Sequence, residues 1–418
     1  MQKIKMLLAL LSLALLSGTT TFVAAETPVS LTKSERADGR FANTRAVVQS
    51  LMESREPALS FNPNFSPEEF VAWRQRVKEE MRALANHPIV ADMPATKMVA
   101  EEQRDGYRLQ KWECFPLPAC VSPFLVLVPD GVSAENPAPA VLCIPGSGQP
   151  KEDVVREASG NSRGGMAFQF VRAGFVAVAV DNPCIGEASD LERFSKIDRD
   201  YDYEDSSRFL LELGWSYQGY ASFIDKIILD NIKARGDVRS DRVVVCGFSL
   251  GTETLMILGA FDDSIFAFIY NDFLCRTRER ALAMSTPGAD GRRHFPNSIR
   301  HLTPGFLTQF DFPDLVAALA PRPVICTEGG MDRDFDLVRK AYALAGAPDA
   351  AVCLHQPKYA DAKNRVYLEK MPYDIDRDTF FRYANVDPAN HYFKGEIAIP
   401  WVKKLIETAD AKSHAAAK

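Results

Sequence analysis

The hydrophobic residues beyond position 138 fall into short runs in which polar residues do not alternate with apolar ones. These runs cover residues 140–144, 175–180, 242–246, 266–270, 323–326 and 351–354. Continuous apolar runs are expected of strands that are buried on both faces of a parallel sheet. Two earlier strands are predicted at 107–113 and 124–128. The pattern therefore predicts an α/β fold with a mostly parallel central sheet.

Apolar residues at helical spacing fill the segments between the predicted strands. Helices are predicted at residues 166–173, 218–235, 252–258, 334–345 and 397–409. An earlier helix begins with Ser66 as N-cap, Pro67 in the first turn and Glu69 completing a capping box, and is expected to end near Asn86. Its apolar face should place Trp73 in the core. We therefore expect a helical extension at 26–104 and an α/β domain at 105–418.

Three stretches contain more residues than a simple crossover between strands needs. They are residues 183–214, 276–312 and 356–390. Insertions of this kind usually surround a functional site, because loops on the surface of a rigid scaffold carry most binding residues. We expect them to form the rim of the site.

The composition excludes several classes of protein. The chain has 418 residues, of which 46% are hydrophobic and 25% charged, which is typical of a globular protein with a substantial core. Its formal net charge is −6, and the lysines and arginines are scattered along the chain. A nucleic acid is therefore not an expected partner. The sequence gives no indication of an oligomeric state.

The first 25 residues have the features of a cleaved signal peptide. Lys3 and Lys5 precede an apolar run at 6–16, and small residues follow up to Glu26. The run is shorter than the roughly 20 residues that a membrane-spanning helix needs. No cysteine follows closely enough to carry a lipid. We expect a mature chain without a membrane anchor, exported to the periplasm or out of the cell.

Export makes the cysteines worth considering as disulfide partners. Four of the eight lie inside apolar strand-like runs and are expected to be buried thiols: Cys143, Cys246, Cys326 and Cys353. Cys114 and Cys120 instead flank a short segment between two predicted strands, where a disulfide is able to close a hairpin. This bridge stays open as a possibility.

The segment Gly-Phe-Ser-Leu-Gly at 247–251 directly follows a predicted strand and directly precedes a predicted helix. This is the context of a nucleophile elbow, a turn that lifts a serine hydroxyl above the sheet. The turn is so tight that the neighbours of the serine must be small. The five-residue pattern alone is common by chance, and its flanking elements make it specific. Ser249 is therefore the predicted nucleophile.

A serine hydroxyl needs a general base, which comes last in the chain order of this architecture. Of the six histidines, His391 lies in a loop after the last predicted strand and just before the terminal helix. His355 is its rival, but it ends the last strand and is expected to lie behind the site or on its rim. His391 is the predicted base.

The acid that orients the base should follow the strand at 323–326. Three carboxylates are available there, Glu328, Asp332 and Asp334. Asp332 is preferred because it follows a glycine pair that can turn the chain, while Glu328 and Asp334 stay open. The role of the orienting acid is to accept a hydrogen bond from the far imidazole nitrogen and to stabilise the imidazolium.

The oxyanion of a tetrahedral intermediate needs hydrogen-bond donors. One is expected from the backbone N–H of Leu250, the residue after the nucleophile. The second is expected from the loop after the strand at 140–144, where Ser147 lies between two glycines. This loop lacks the spacing of a phosphate-binding loop. Leu250 and Ser147 are therefore the predicted oxyanion donors.

From about residue 106 onwards the chain resembles the dienelactone hydrolase and acetylxylan esterase-like branch of the α/β-hydrolases. The motifs that carry the resemblance lie at 111–113, 145–148, 180–183, 247–251, 320–323, 329–333 and 385–388, followed by His391. The resemblance implies Ser249, Asp332 and His391 as a triad that forms an acyl-enzyme without metal or cofactor. Two departures bear on the oxyanion geometry and the pocket size: relatives often have a histidine where Pro145 stands and a glycine where Thr252 stands.

Exported members of this branch often deacetylate plant polysaccharides, so a secreted carbohydrate esterase acting on a small-molecule or polysaccharide ester is expected. Trp215 and Tyr217 are candidates for stacking on a sugar. A glucuronoyl esterase is an alternative, with a cation from Arg276, Arg278, Arg333 or Lys358 holding the sugar carboxylate. A serine peptidase and a catalytically silent carbohydrate-binding protein are further alternatives, and the intact triad argues against the last.

Overall fold

The computed structural model describes residues 34, 36–90, 92–159, 162–190, 201–284, 298–372 and 375–416. Within these residues one nine-stranded sheet runs in the order β1-β2-β3-β5-β4-β6-β7-β8-β9. The strands are β1 Thr96–Arg104, β2 Tyr107–Cys114, β3 Ser122–Pro129, β4 Ala138–Ile144, β5 Val176–Val180, β6 Val238–Phe248, β7 Ala267–Asn271, β8 Val324–Cys326 and β9 Ala351–Cys353.

Strands β4 to β9 are mutually parallel, whereas β1, β2 and β3 form an antiparallel edge that joins β5. Because parallel strands end at the same edge, the loops after β4, β6, β7 and β8 leave the sheet side by side. In open α/β sheets this carboxyl edge is where ligands bind.

The helices of the described residues connect these strands. They are α1 Thr44–Ser54, α2 Pro67–Ala85, α3 Lys151–Val154, α4 Met166–Arg172, α5 Tyr201–Glu212, α6 Tyr217–Lys233, α7 Gly251–Phe261, α8 Thr277–Met284, α9 Phe306–Gln309, α10 Phe312–Ala318, α11 Asp332–Leu344, α12 Arg377–Tyr383 and α13 Gly395–Ala416. Short 3₁₀ turns lie at Gly186–Ala188, Ile299–His301, Pro348–Ala350, Pro357–Tyr359, Ala362–Asn364 and Pro388–Asn390.

Two hydrophobic cores cover the two faces of the sheet. Helices α2, α6, α7, α10 and α11 pack on one face, and α4 and α13 pack on the other. Along β4, Leu142 and Ile144 enter the first core, while Val141 and Cys143 enter the second. Burial on both faces explains why the strands are continuously apolar. The predicted α/β fold with a mostly parallel sheet is confirmed.

Helix α2 forms as its sequence predicts. Ser66 accepts from the Glu69 backbone N–H while the Glu69 carboxylate accepts from the Ser66 N–H, and the helix ends at Asn86 in the left-handed conformation. Trp73 is 4% exposed and its indole N–H donates to the Leu59 carbonyl at 2.8 Å. The N-terminal segment is therefore packed on the body of the protein through a buried aromatic face.

Strand β1 is absent from the sequence-based expectations. It lies at the end of the predicted helical extension, yet it pairs with β2 along its whole length. Seven of its nine residues are exposed, so its sequence carries no apolar alternation. The division of the chain at residue 104 remains a prediction.

The predicted signal peptide at 1–25 lies outside the described residues. Among the residues that are described, no helix is both long and apolar enough to span a membrane. Cys114 and Cys120 are free thiols, so the hairpin disulfide considered from sequence is not formed. Cys143, Cys246 and Cys326 are buried thiols, as predicted, and Cys353 is partly buried.

Candidate active site

Ser249 lies on the turn between β6 and α7, in a backbone conformation that few residues other than glycine adopt. Its φ is +51°. The Ser249 N–H donates to the Asn271 carbonyl at 3.1 Å, and the Ser249 carbonyl accepts from the Thr252 N–H at 2.9 Å and from the Thr252 hydroxyl at 2.7 Å. These three hydrogen bonds offset the strain of the turn. Thr252, where relatives often have glycine, thus takes part in holding the elbow.

The two glycines of the elbow are required by close contacts of the backbone. A Cβ on Gly247 would lie 2.5 Å from the Gly251 carbonyl oxygen. A Cβ on Gly251 would lie 2.4 Å from the Ile144 oxygen and 2.9 Å from the Pro145 oxygen. Helix α7 can therefore begin directly against the end of β4. This contact brings Leu250 and the loop after β4 to the same place.

His391 lies in the loop between the Pro388–Asn390 turn and α13. Its Nδ1–H donates to Glu328 Oε2 at 2.5 Å, and its ring stacks on Phe248 with a centroid distance of 4.7 Å. Burial alone would lower the pKa of His391, but the hydrogen bond to Glu328 and the negative charges of Asp272 and Glu328 outweigh it and raise the pKa. The hydrogen bond leaves Nε2 as the nitrogen available for proton transfer.

Glu328 is 1% exposed, and both of its carboxylate oxygens accept hydrogen bonds from the protein. While Oε2 binds His391, Oε1 accepts from Asn271 Nδ2 at 3.0 Å, from the Tyr392 N–H at 3.2 Å and from Lys394 Nζ at 3.0 Å. Lys394 is itself 3% exposed. A buried carboxylate needs such partners, because an unpaired buried charge is strongly destabilising.

Asn271 and Lys394 tie the histidine loop to the sheet. Asn271, fully buried at the end of β7, donates to the Tyr392 carbonyl at 3.1 Å and accepts from the Lys394 N–H at 2.7 Å. Lys394 Nζ also donates to the carbonyls of Asn390 and of Tyr392. Neither residue was predicted from sequence. In the sequence, Asn271 is marked only by its place at the end of a strand, and Lys394 only by its place three residues after His391.

The preference for Asp332 as the partner of His391 is corrected by this geometry. Asp332 Oδ1 contacts His355 Nε2 at 3.2 Å and Arg365 NH1 at 2.5 Å instead. The chain turns away from the site at Gly329 and Gly330, whose φ angles are +91° and +149°. A carboxylate before this turn faces His391, and one after it does not.

The other candidates near Asp332 are also placed by these contacts. Asp334 is fully buried and pairs with Arg276 at 2.8 Å. His355, the rival base, packs against Phe335 with the two rings tilted by 49° and is held by Asp332. His355 thus lies outside the His391–Glu328 pair, as expected for a residue behind the site or on its rim.

The two predicted oxyanion donors lie on neighbouring loops. Within the described residues, neither the Leu250 nor the Ser147 backbone N–H donates to another part of the protein. The loop that carries Ser147 is anchored at both ends: Asn182 Nδ2 donates to the Pro145 carbonyl at 2.8 Å, and Asp181 accepts from the Lys151 N–H at 2.7 Å. Lys151, fully buried, also reaches the Asp181 carboxylate with its ammonium group at 2.7 Å. The arrangement positions the loop rigidly beside the elbow.

A cavity of about 480 Å³ opens over this group of residues. Ser147, Ser249 and His391 all line it. The rest of its described wall comes from Gly146, Gln149, Asp153, Val154, Arg156, Gly164, Gly165, Met166, Phe248, Tyr392 and Phe393. The predicted nucleophile, base and one oxyanion donor therefore face a common space.

Trp215 and Tyr217, the predicted sugar-binding aromatics, do not line this cavity. Tyr217 is 1% exposed, packs with Leu250, and donates its hydroxyl to the Pro183 carbonyl at 2.7 Å. Trp215 is partly buried and stacks on Tyr220 at 6.0 Å. A buried tyrosine offers no face to a sugar ring, so the expectation for Tyr217 is corrected. Its position behind Leu250 gives it a packing role.

The cations considered for a sugar carboxylate are engaged elsewhere. Arg276 pairs with Asp334, Arg333 with Glu279, and Arg278 donates to the backbone carbonyls of Arg55 and Leu307. Lys358 lies over the ring of Tyr359 at 5.3 Å. Among the described residues that line the cavity, the cationic side chain is that of Arg156. Its guanidinium group lies 3.4 Å from the Asp153 carboxylate.

One cluster in the site has the composition of a metal site. Asp272, Glu328 and His391 each place one ligand atom within 4.8 Å of the others. Glu328, however, already binds the ammonium group of Lys394 and the Nδ1–H of His391. A cation there would have to displace both hydrogen bonds, so the donor set favours a hydrogen-bonded acid–base group.

Ser249 lies on a turn between a strand and a helix, and His391 pairs with Glu328. This arrangement is typical of the α/β-hydrolases. A family model described as the Abhydrolase family matches residues 22–404. The chain belongs to the Abhydrolase family. The resemblance to the α/β-hydrolases read from the sequence motifs is thereby confirmed, and the particular likeness to dienelactone hydrolases stays a prediction.

A solved structure supports the same assignment. This abhydrolase is 51% identical to a proposed acetyl xylan esterase from Bacteroides fragilis, with a TM-score of 0.83 over 90% of this chain and 97% of that one. A glucuronoyl esterase from Solibacter usitatus is 12% identical, with a TM-score of 0.48 over 79% of this chain and 97% of that one. The latter likeness is too distant to carry an argument. A comparison with curated proteins finds no match.

Proposed function

We propose that this abhydrolase is an exported serine esterase that releases acyl groups, acetate above all, from polysaccharide esters. The observation that carries the proposal is the hydrogen bond of 2.5 Å from His391 to the buried Glu328 carboxylate, beside a cavity that Ser249 also lines. A buried carboxylate on the far nitrogen of an imidazole that shares its cavity with an elbow serine is the arrangement used for nucleophilic acyl transfer.

The reaction proceeds in two half-reactions. His391 Nε2 removes the proton from Ser249 Oγ as Oγ attacks the ester carbonyl carbon, and the resulting oxyanion accepts from the N–H groups of Leu250 and Ser147. His391 then returns the proton to the departing alcohol oxygen, leaving an acyl-enzyme. Water, deprotonated by His391, attacks the carbonyl carbon of this ester; as the bond to Ser249 Oγ breaks, His391 returns the proton to Oγ and the acid is released. Glu328 stabilises the imidazolium in both halves.

The choice of substrate rests on the close relative and on the cavity. The 51%-identical Bacteroides fragilis protein is a proposed acetyl xylan esterase. The four cations considered for a glucuronoyl ester are engaged away from the cavity, so Arg156, which lines it, is the cation on which that alternative would depend. Export rests on the N-terminal sequence alone. Together these points favour an acetylated plant polysaccharide outside the cytoplasm.

The test compares the purified mature protein with Ser249→Ala and with Ser413→Ala, an exposed serine on α13 that serves as a control. Turnover of p-nitrophenyl acetate and acetate release from acetylated xylan should fall by about 10⁴-fold or more in Ser249→Ala, because the nucleophile is lost. Ser413→Ala should match the wild type. Full activity of Ser249→Ala would contradict the serine mechanism. Hydrolysis of glucuronoyl esters without release of acetate from acetylated xylan would contradict the proposed substrate.

A further inference from the structure

Asp272 lies at the centre of the carboxyl edge, and the mechanism above does not use it. It directly follows β7, the strand between β6, which leads into Ser249, and β8, which leads into Glu328. The fold thus places a second carboxylate between the nucleophile and the first acid. The sequence motifs gave no indication of this residue.

The side chain of Asp272 lies within reach of the imidazole. One oxygen of Asp272, one oxygen of Glu328 and one ring nitrogen of His391 are all within 4.8 Å of one another. Asp272 Oδ1 accepts from the Phe273 N–H at 2.8 Å, which orients the carboxylate. His391 therefore has two carboxylates beside it, one in direct hydrogen-bond contact and one at short electrostatic range.

The charge that Glu328 presents to His391 is partly cancelled. Lys394 Nζ lies 3.0 Å from Glu328 Oε1, and both side chains are buried. The ammonium group offsets the negative field of Glu328 at the imidazole, because charges interact strongly in a buried setting. Glu328 alone therefore does not fully neutralise the positive charge of a protonated His391.

Asp272 has a different electrostatic surrounding. The ionisable groups that face it are His391, Glu328, Arg280, Tyr270 and Cys275. Burial is the main cause that raises the pKa of Asp272 to about 7, with Glu328 adding to the rise and His391 and Arg280 opposing it. Arg280 is itself paired with Glu253 at 3.3 Å. Asp272 is therefore ionised above about pH 7, and there its negative charge faces the positive charge that forms on His391.

We propose that Asp272 is a second acid of this active site, a positioning residue whose carboxylate stabilises the His391 imidazolium together with Glu328. This inference rests on the proposed serine-esterase function. In the pH range where Asp272 is ionised, it neither gives nor takes a proton when the proton moves from Ser249 Oγ to His391 Nε2. It supplies the negative charge that the Glu328–Lys394 pair does not.

The test measures kcat/KM for p-nitrophenyl acetate between pH 5 and 9 in the wild type, Asp272→Asn and Asp272→Glu. Activity needs neutral His391, so it is lost as pH falls through the pKa of His391. Asp272→Asn removes a negative charge beside the imidazole and should move this acid limb to lower pH by about one unit. It should also lower kcat by about tenfold with KM unchanged. Asp272→Glu should return the limb toward its wild-type position.

A double variant tests whether the two acids act on the same group. Both carboxylates raise the pKa of the same imidazole, so Asp272→Asn combined with Glu328→Gln should move the acid limb further to lower pH than either single variant does. Asp332→Asn, whose partners are His355 and Arg365, is the matched control and should leave the acid limb in place. Thermal unfolding of each variant shows whether it is folded.

The outcomes separate this inference from the function on which it rests. An acid limb that is unmoved in folded Asp272→Asn, or one that lies at the same pH in the double variant as in Glu328→Gln alone, would overturn the role of Asp272. If Ser249→Ala is inactive at the same time, the serine-esterase function stands without this second acid. If Ser249→Ala is active, both proposals fail together.

Discussion

The buried contact between His391 and Glu328 is the feature on which the chemistry depends most. Replacing Glu328 by Gln keeps the shape of the side chain, but removes the negative charge and allows the wrong imidazole tautomer. We expect kcat/KM for p-nitrophenyl acetate to fall by at least about 10²-fold, mostly in kcat, because the effect is greatest in the transition state. The measurement is steady-state kinetics at the pH optimum, with thermal unfolding to verify folding.

Asp332→Asn is the natural comparison for Glu328→Gln, since the two carboxylates lie four residues apart after the same strand. Asp332 binds His355 and Arg365, so its variant should retain most of the activity. An equal loss of kcat/KM in the two variants would contradict the assignment of Glu328. A larger loss in Asp332→Asn would restore the choice made from the sequence.

Single residues show where sequence reasoning is strong and where it fails. Ser249 and His391 were predicted because their positions depend on chain order and on flanking elements. Asp332 was wrongly preferred to Glu328, because the choice depends on the positive φ angles of Gly329 and Gly330, which set the direction of the chain. The contacts of Asn271, Asp272 and Lys394 join segments more than 50 residues apart, and no local pattern reveals them.

At the scale of elements, the start of α7 against the end of β4 controls the position of Ser249. Gly251→Ala would place a Cβ 2.4 Å from the Ile144 carbonyl oxygen. We expect the clash to cost about 1–3 kcal/mol of unfolding free energy. Because the elbow must shift relative to the oxyanion loop, kcat should fall by about 10²-fold. Chemical denaturation and steady-state kinetics measure the two effects.

Gly236→Ala is the matched control for Gly251→Ala. Gly236 is exposed on a turn, and an added Cβ would make only an ordinary contact of 3.5 Å with Ala134. It should therefore leave stability and kcat close to the wild type. Normal activity of Gly251→Ala would show that the close approach of α7 to β4 is not needed to align the elbow.

The elements differ in how far their sequences predict them. The central strands and α2 were predicted, because burial on two faces and a complete capping box leave clear patterns. Strand β1 and helix α1 were missed, since β1 is largely exposed and α1 buries only Ala46 and Gln49. Elements that bury little apolar surface leave little trace in the hydrophobic pattern.

At the scale of the whole molecule, the cavity is built from segments that lie far apart in the chain. Its described wall combines the loop after β4, the residues around the start of α4, the elbow and the histidine loop. Sequence reasoning located the catalytic candidates but chose Trp215 and Tyr217 for the wall. Only the packing of the chain shows that Tyr217 lies behind Leu250.

The central claim is that Ser249 is the nucleophile that His391 activates. The most direct measurement is the site and rate of covalent labelling by an organophosphonate that carries a p-nitrophenol leaving group, followed by peptide mass spectrometry. We predict one phosphonyl group per chain, on the peptide that contains Ser249, with a labelling rate that falls as His391 becomes protonated at low pH. A chain that hydrolyses acetyl esters yet remains unlabelled, or that is labelled at Ser147 instead, would contradict the account.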